Sequence, residues 1–307
     1  MWRDTEGAAT ETRTSPAAIA IGTFDGVHRG HQHVLDRTRE LADGAPVVAV
    51  TFDPHPMAVV RPDREPRKLT TLERRVELLR EHGADEVRVL AFSAEMSGWS
   101  PAEFVERVLV RELHSKVVVV GEKFRFGHKA AGDVAFLGTA GEQHGFQAIG
   151  LPLIGDGEVL SSTRVRNHIA AGELVEAAEV LGRPHEVSGV VARGDQRGRE
   201  LGFPTANVPV DESYAVPPDG VYAGWVVRAG NERLPAAISI GTNPTFDGVE
   251  RRVESYVLDR TDLDLYDELI RVELVDRLRG MVKYEGVEPL IEQMNQDVMD
   301  ARARLER

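Results

Sequence analysis

Two textures divide the sequence, and the change between them constrains the fold more than any single motif. Up to about residue 120, short apolar runs alternate with amphipathic stretches. The run 17–21 precedes a helical pattern over about 32–41. The Val-rich run 45–52 precedes a stretch that sets Leu72, Val76 and Leu79 on one helical face. The run 87–92 precedes a helix reaching about His114, and 117–120 follows. Helix starts are marked: Thr70-Thr71-Leu72-Glu73 fits a capping box, and Ser100-Pro101-Ala102-Glu103 combines an N-cap, a first-turn Pro and a Glu at the third position. Gly83 supplies a stop. Strand–helix alternation of this kind implies parallel strands with right-handed crossovers, whose ligands bind beyond the carboxyl ends of the strands. Past Gly182-Arg183-Pro184, which closes a helix expected to bury Leu174, Ala177, Ala178 and Leu181, the pattern changes. Candidate strands at 186–192, 221–227, 235–240 and 252–258 are separated by Gly and Pro turns without helices, which suggests a small antiparallel barrel. Helical composition returns over 286–307. The expected order is therefore a disordered tail (1–16), an α/β parallel-sheet, Rossmann-like domain (17–182), and a small antiparallel β-barrel with a C-terminal helix (183–307).

The chain of 307 residues is long enough for two cores, and 42% of its residues are hydrophobic. With 37 basic and 50 acidic residues its net charge is −13, so it gains nothing from counterion release on a polyphosphate backbone; nucleic-acid polymers are excluded as partners. Local pockets for small phosphates are not. The absence of cysteine removes disulfides, thiolate metal sites and thiol catalysis together. No apolar run approaches the roughly 18–20 residues of a membrane span. The polar first residues lack the apolar core of a secretion signal, and a cytoplasmic protein is expected. Self-association is left open.

The loop after the first run reads Gly22-Thr23-Phe24-Asp25-Gly26-Val27-His28-Arg29-Gly30-His31. Two histidines at i and i+3 stand where a strand hands over to a helix, a place that offers unpaired N–H groups and a positive dipole end to an anion. Gly22, Gly26 and Gly30 let the backbone approach phosphate oxygens, and imidazoles there can donate to a phosphorus centre gaining negative charge. Two readings compete: ordinary surface histidines, or a metal pair completed by His33 or Asp25. Phe52-Asp53-Pro54-His55-Pro56 follows the second run directly, so His55 belongs at the same sheet edge, as a ligand or as a mere turn cap. Ser161-Ser162-Thr163-Arg164-Val165-Arg166 offers hydroxyls at another helix start, with Arg166 placed to clamp outer phosphates.

In the second half, Gly194, Gly198 and Gly202 suit a flap over phosphates, ahead of Phe203-Pro204-Thr205-Ala206-Asn207. On an extended segment Thr205 and Asn207 point to one side, and a hydroxyl with an amide oxygen are hard ligands that Mg²⁺ accepts alongside substrate phosphates. A Gly/Pro-rich hairpin explains the same composition. Glu254, within Arg252-Val253-Glu254-Ser255-Tyr256-Val257-Leu258-Asp259, could take the proton of an attacking hydroxyl or could be an ordinary exposed strand carboxylate.

These segments resemble those of the prokaryotic bifunctional riboflavin kinase/FMN adenylyltransferase (FAD synthetase) family. The first half resembles its adenylyltransferase part through Gly-Thr-Phe-Asp-Gly-Val-His-Arg-Gly-His, Phe-Asp-Pro-His-Pro and Ser-Ser-Thr-Arg-Val-Arg. The second resembles its kinase part through Gly-Phe-Pro-Thr-Ala-Asn, Gly220-Val221-Tyr222-Ala223, the segment from Ser239 to Phe246 and Val-Glu-Ser-Tyr-Val-Leu-Asp. The resemblance implies ATP binding in the first half by Gly22, Phe24, Asp25, His28, His31, Ser162, Thr163 and Arg166, with His28 and His31 stabilising the transition state. It implies flavin binding at His55 and Phe124, ATP binding in the second half by Gly198, Gly202, Thr205 and Asn207, Mg²⁺ on Thr205 and Asn207, and Glu254 as base. Riboflavin, FMN and ATP would be the substrates. Two departures stand out: Lys123 replaces the family's usual Asn or Asp, and Asp264-Leu265-Tyr266-Asp267 replaces the usual Asp-Leu-Tyr-Gly. The rival functions are a nucleotidyltransferase acting on another phosphate ester, which leaves the second half unexplained, and a non-catalytic flavin-binding regulator, which the intact His28, His31, Thr205, Asn207 and Glu254 oppose.

Overall fold

The structure, a computed structural model, describes residues 1–155, 157–193, 201–245 and 248–306, with backbone alone at 243–245 and 248–250. The chain forms two compact units: Met1–Pro66 with Thr71–Ser161, and Arg67–Thr70 with Ser162–Arg307.

The first unit is built on five parallel strands: β1 (Ala17–Ile21), β2 (Val47–Asp53), β3 (Glu86–Ala91), β4 (Ser115–Gly121) and β5 (Gln147–Leu151), in the order β3-β2-β1-β4-β5. Their central residues are apolar on both faces because both faces are covered. Ile19, Ile21, Val48, Val50, Val118 and Val120 pack under the helix Pro101–Phe104, its π-helical continuation Val105–Glu112, and the helix Val134–His144. Ala20, Ala49, Val87 and Val89 pack on the other side against Leu35 of α1 (Arg29–Leu41) and Val76 and Leu79 of the helix Leu72–Glu81. The chain leaves β1 towards β2 on one side and reaches β4 on the other, so the crevice beyond the ends of β1 and β4 is a topological switch point.

Helix signals held with small shifts. Ser100 and Glu103 form the capping box. At Leu72–Glu81 the cap is Thr71, which accepts from the Arg74 N–H, so Glu73 falls short of the capping-box position. The helix after β1 begins at Arg29, earlier than its apolar pattern. Residues 1–16, expected to be a disordered tail, instead run beside β3: the Arg3 and Ala9 amides donate to Val89 O and Val87 O at 2.7 and 2.9 Å. Trp2 packs against the sheet core and donates to Glu112 Oε2 at 3.1 Å. The reason is physical: β3 is an edge strand with unpaired backbone groups, and this segment satisfies several of them.

The second unit contains the helices Ser162–Ala171 and Leu174–Leu181, then six antiparallel strands. These are β6 (His185–Val190), β7 (Thr205–Pro209), β8 (Gly220–Val227), β9 (Arg233–Thr245), β10 (Gly248–Val257) and β11 (Leu269–Gly280), ordered β6-β11-β8-β9-β10-β7. The sheet curls until its two edges approach, where Ala192 and Asn207 form an antiparallel bridge. Val208, Tyr222, Ile238, Ile240, Val253 and Val272 fill the interior. The helix Val287–Leu305 covers Ala223 and Ala237 from outside through Val298, Ala301 and Leu305. In the helix Leu174–Leu181 the buried residues are Leu174, Ala177, Val180 and Leu181, with Val180 taking the place expected of Ala178.

Candidate active sites

In the first unit the loops after β1, β2 and β4 gather at the carboxyl edge of the sheet, and they carry Gly22 to His31, His55 and Phe124 respectively. His28 is the N-cap of α1. Its Nδ1 accepts from the Gly30 N–H at 3.1 Å, so the neutral ring carries its proton on Nε2. The His28 and His31 rings stack with centroids 3.7 Å apart and planes at 24°. Phe24 meets His31 edge-on at 5.2 Å, and a side chain at Gly22 would press on the Phe24 ring at 3.2 Å. The loop is held in an unusual shape: Phe24, Gly26 and Val27 have φ of 48°, 81° and 39°. Asp25 is buried, 3% exposed, within this turn. Among the described residues no group of three or more His, Asp or Glu could hold a metal ion.

His55 repeats the device of His28, capping the short helix Pro56–Val60 by accepting from Met57 N at 3.1 Å. Its turn-cap reading is thus met, and its Nε2 is again the donor. Phe124 stacks on Phe126 at 5.6 Å, and the neighbouring Lys123 is exposed. Ser162 and Thr163 open the helix Ser162–Ala171 in the second unit, where Arg166 donates through Nε to the Arg67 carbonyl at 2.6 Å.

The second site is set by strand register. β10 pairs antiparallel with β7, placing Glu254 opposite Asn207 and Tyr256 opposite Thr205. Directly opposed residues share a face, so all four stand on one side of the sheet while Ala206, Val253 and Ser255 face the interior. Asn207 is 8% exposed, and its Nδ2 donates to the Thr205 carbonyl at 3.2 Å, which turns Oδ1 away as the atom for a cation. Phe203 packs edge-on against Tyr256 at 5.2 Å. A pocket opens beside these residues, lined by Val191, Thr205, Asn207, Ser255, Arg260 and Tyr266 among others. The sequence motifs missed the last three. Ser255 was masked by its alternation with Glu254 on the strand, and its fully buried Oγ has no hydrogen-bond partner. Gly202 has φ +88° at the approach to this site, and Gly198 lies outside the described residues. The departure at Asp267 falls on a residue with φ +62°, the left-handed region in which the family's usual Gly is at ease.

A donor-lined loop at a switch point in one unit, and a hydroxyl, amide and carboxylate set on a barrel face in the other, define a bifunctional ATP-dependent transferase. The family model described as FAD synthetase matches residues 10–164, and that described as riboflavin kinase matches residues 181–305. The bifunctional riboflavin kinase/FMN adenylyltransferase of Escherichia coli strain K12 is 36% identical over 92% of this chain and 91% of its own. Those of Listeria monocytogenes and Pseudomonas fluorescens are 38% and 39% identical, over 93% and 92% of this chain and 91% of each relative. A crystal structure titled "Macrolide-efflux Protein", from Streptococcus pneumoniae, is 30% identical and superposes with a TM-score of 0.84, covering 95% of both chains. Among the described residues here, no helix is long and apolar enough to cross a membrane. The chain belongs to the bifunctional riboflavin kinase/FMN adenylyltransferase family and carries both activities.

Proposed function

We propose that the two reactions run in sequence at the two sites described. At the barrel, the 5′-hydroxyl of riboflavin attacks the γ-phosphorus of ATP, giving FMN and ADP, and Glu254 takes the hydroxyl proton. The hydroxyl of Thr205 and Oδ1 of Asn207 fit Mg²⁺, which keeps several waters and phosphate oxygens and so needs few protein ligands. When bound, the ion would neutralise charge on the transferring phosphates. Thr205 and Asn207 orient that end of the nucleotide, and Glu254 stands across from Asn207 on the same face. That register carries the kinase reading.

At the parallel sheet, an FMN phosphate oxygen attacks the α-phosphorus of a second ATP, giving FAD and pyrophosphate. FMN brings an ionised nucleophile, so positioning and charge stabilisation matter more than a base. His28 and His31 donate to the phosphates, with the Nδ1 cap of His28 directing its Nε2–H outward. Gly22, Phe24 and Asp25 shape the ATP loop. His55 and Phe124 contact the flavin. The division of labour falls near residue 183, just inside the start of the second matched segment. A cytoplasmic setting follows from the dependence on ATP.

Chromatography of flavin products tests this. Glu254→Ala should stop FMN formation while FMN is still converted to FAD, and His28→Ala with His31→Ala should do the reverse. Loss of both activities from either variant, in protein that remains folded, overturns the two-site assignment.

A further inference from the structure

Arg75 is a cation in an apolar place. It lies on the helix Leu72–Glu81, on the face shared with Val76 and Leu79, and is 4% exposed. None of the described carboxylates pairs with it, and its Nε has no hydrogen-bond acceptor. A buried guanidinium without a counter-charge is costly, so what it grips is informative. All three of its hydrogen bonds leave one nitrogen, Nη1: to Thr23 O at 3.2 Å, Thr51 Oγ1 at 3.3 Å and Phe52 O at 3.0 Å. Thr51, fully buried, donates its own hydroxyl to Thr23 O at 2.8 Å.

These acceptors are the roots of two site loops. Thr23 precedes Phe24, Gly26 and Val27, whose left-handed φ values cost energy at the two non-glycine positions. Phe52 is the penultimate residue of β2, just before the segment carrying His55. A single buried nitrogen therefore clamps the loop of His28 and His31 to the loop of His55. We propose that Arg75 is a positioning residue for adenylyl transfer, fixing both loops at their roots and placing a fixed positive charge beneath the ATP loop. The proposal rests on the assignment of His28 and His31 to that reaction.

Because the three bonds converge on one nitrogen, an ammonium with three N–H groups can replace the guanidinium, and it removes the orphaned Nε as well. The experiment measures kcat and KM for FMN-to-FAD conversion in the full chain carrying Arg75→Met, Arg75→Lys or Thr51→Val. Riboflavin phosphorylation by the same molecules reports the integrity of the second unit, and thermal melting reports that of the first. Arg75→Met should lower kcat/KM for adenylyl transfer by about 10- to 100-fold, the loss expected for hydrogen bonds to a charged group, with phosphorylation retained. Arg75→Lys should recover to within about threefold, and Thr51→Val should fall between. Should Arg75→Met fail to fold, Lys and Thr51→Val still decide. Unchanged kinetic constants in Thr51→Val, or an Arg75→Lys with no more adenylyl transfer than Arg75→Met, overturn the proposal. A His28→Ala, His31→Ala protein that still makes FAD instead overturns the site assignment, independently of Arg75.

Discussion

Gly30→Ala separates stability from catalysis at the first site. Gly30 lies in the first turn of α1, and a Cβ there would stand 2.9 Å from His28 Cε1 and 3.0 Å from its Nδ1. Both are too close, and the imidazole must swing away. Two energies then oppose one another. Ala in place of Gly favours the helix by roughly 1 kcal/mol. Losing the Gly30 N–H to Nδ1 cap costs about 0.5–2 kcal/mol. The melting temperature should therefore shift by only a few degrees in either direction. The imidazole has no such compensation: it loses the bond that fixes its tautomer and its 3.7 Å stack on His31. A displacement approaching 1 Å is worth on the order of 100-fold, so adenylyl transfer should fall by roughly 10- to 100-fold. Thermal melting, FMN-to-FAD conversion and riboflavin phosphorylation measured on one preparation make the assay. Adenylyl transfer at the wild-type rate would refute the reasoning, since the ring must move and its placement would then not matter. A parallel fall in phosphorylation would refute it too, by showing general damage.

Two further outcomes are expected. Gly224→Ala would bring a Cβ to 2.0 Å from Glu273 O and 2.5 Å from Ile238 Cδ1, where β8 crosses between β11 and β9; overpacking of about 1–3 kcal/mol or more should lower the barrel's melting temperature and cut FMN formation first. Asp85 accepts from Arg39 and from the Val47 amide, and the Arg39 guanidinium holds its carboxyl below the ordinary carboxylate range. A lowered folded-state pKa gives stability that is present above the unfolded value and lost as pH falls through the folded one. Asp85→Ala should therefore lower the denaturation midpoint at neutral pH, by under about 1 kcal/mol because both side chains are half exposed, and the difference from wild type should close in acid.

What could be read from the sequence depended on how local each signal was. The parallel strands near the centre of the sheet are apolar on both faces, and their Val-rich runs stood out. The strand Gln147–Leu151 and the helix Val134–His144 did not, because the strand is short with a Gly in it and the helix carries Gly138 and Gly141. β11 keeps Ile270, Val272 and Leu274 inward, but Arg271, Glu273, Asp276 and Arg277 between and after them hid the alternation. At the sites, motifs located His28, His31, Thr205, Asn207 and Glu254, whereas only strand register places Glu254 across from Asn207. Arg75 did carry a local signal, a cation three residues after Leu72 on a face otherwise apolar, though nothing nearby in the chain names the carbonyls it reaches. Trp2 was a similar hint: a large aromatic residue in an otherwise polar leader has little reason to stay in water.

The pairing of β7 with β10 bears on how the chain is made. During synthesis His28, His31 and His55 have all left the ribosome before any of the barrel exists. Asn207 emerges on a strand whose ladder partner among the described residues is β10, which has not yet been translated. On the proposed assignment the order of emergence is thus the reverse of the order of reaction: the histidines assigned to FAD formation come first, and the centre assigned to FMN formation waits for the strand of Glu254. A stop between the two halves and Glu254 removes the proposed source of FMN before it touches the loops that would consume it.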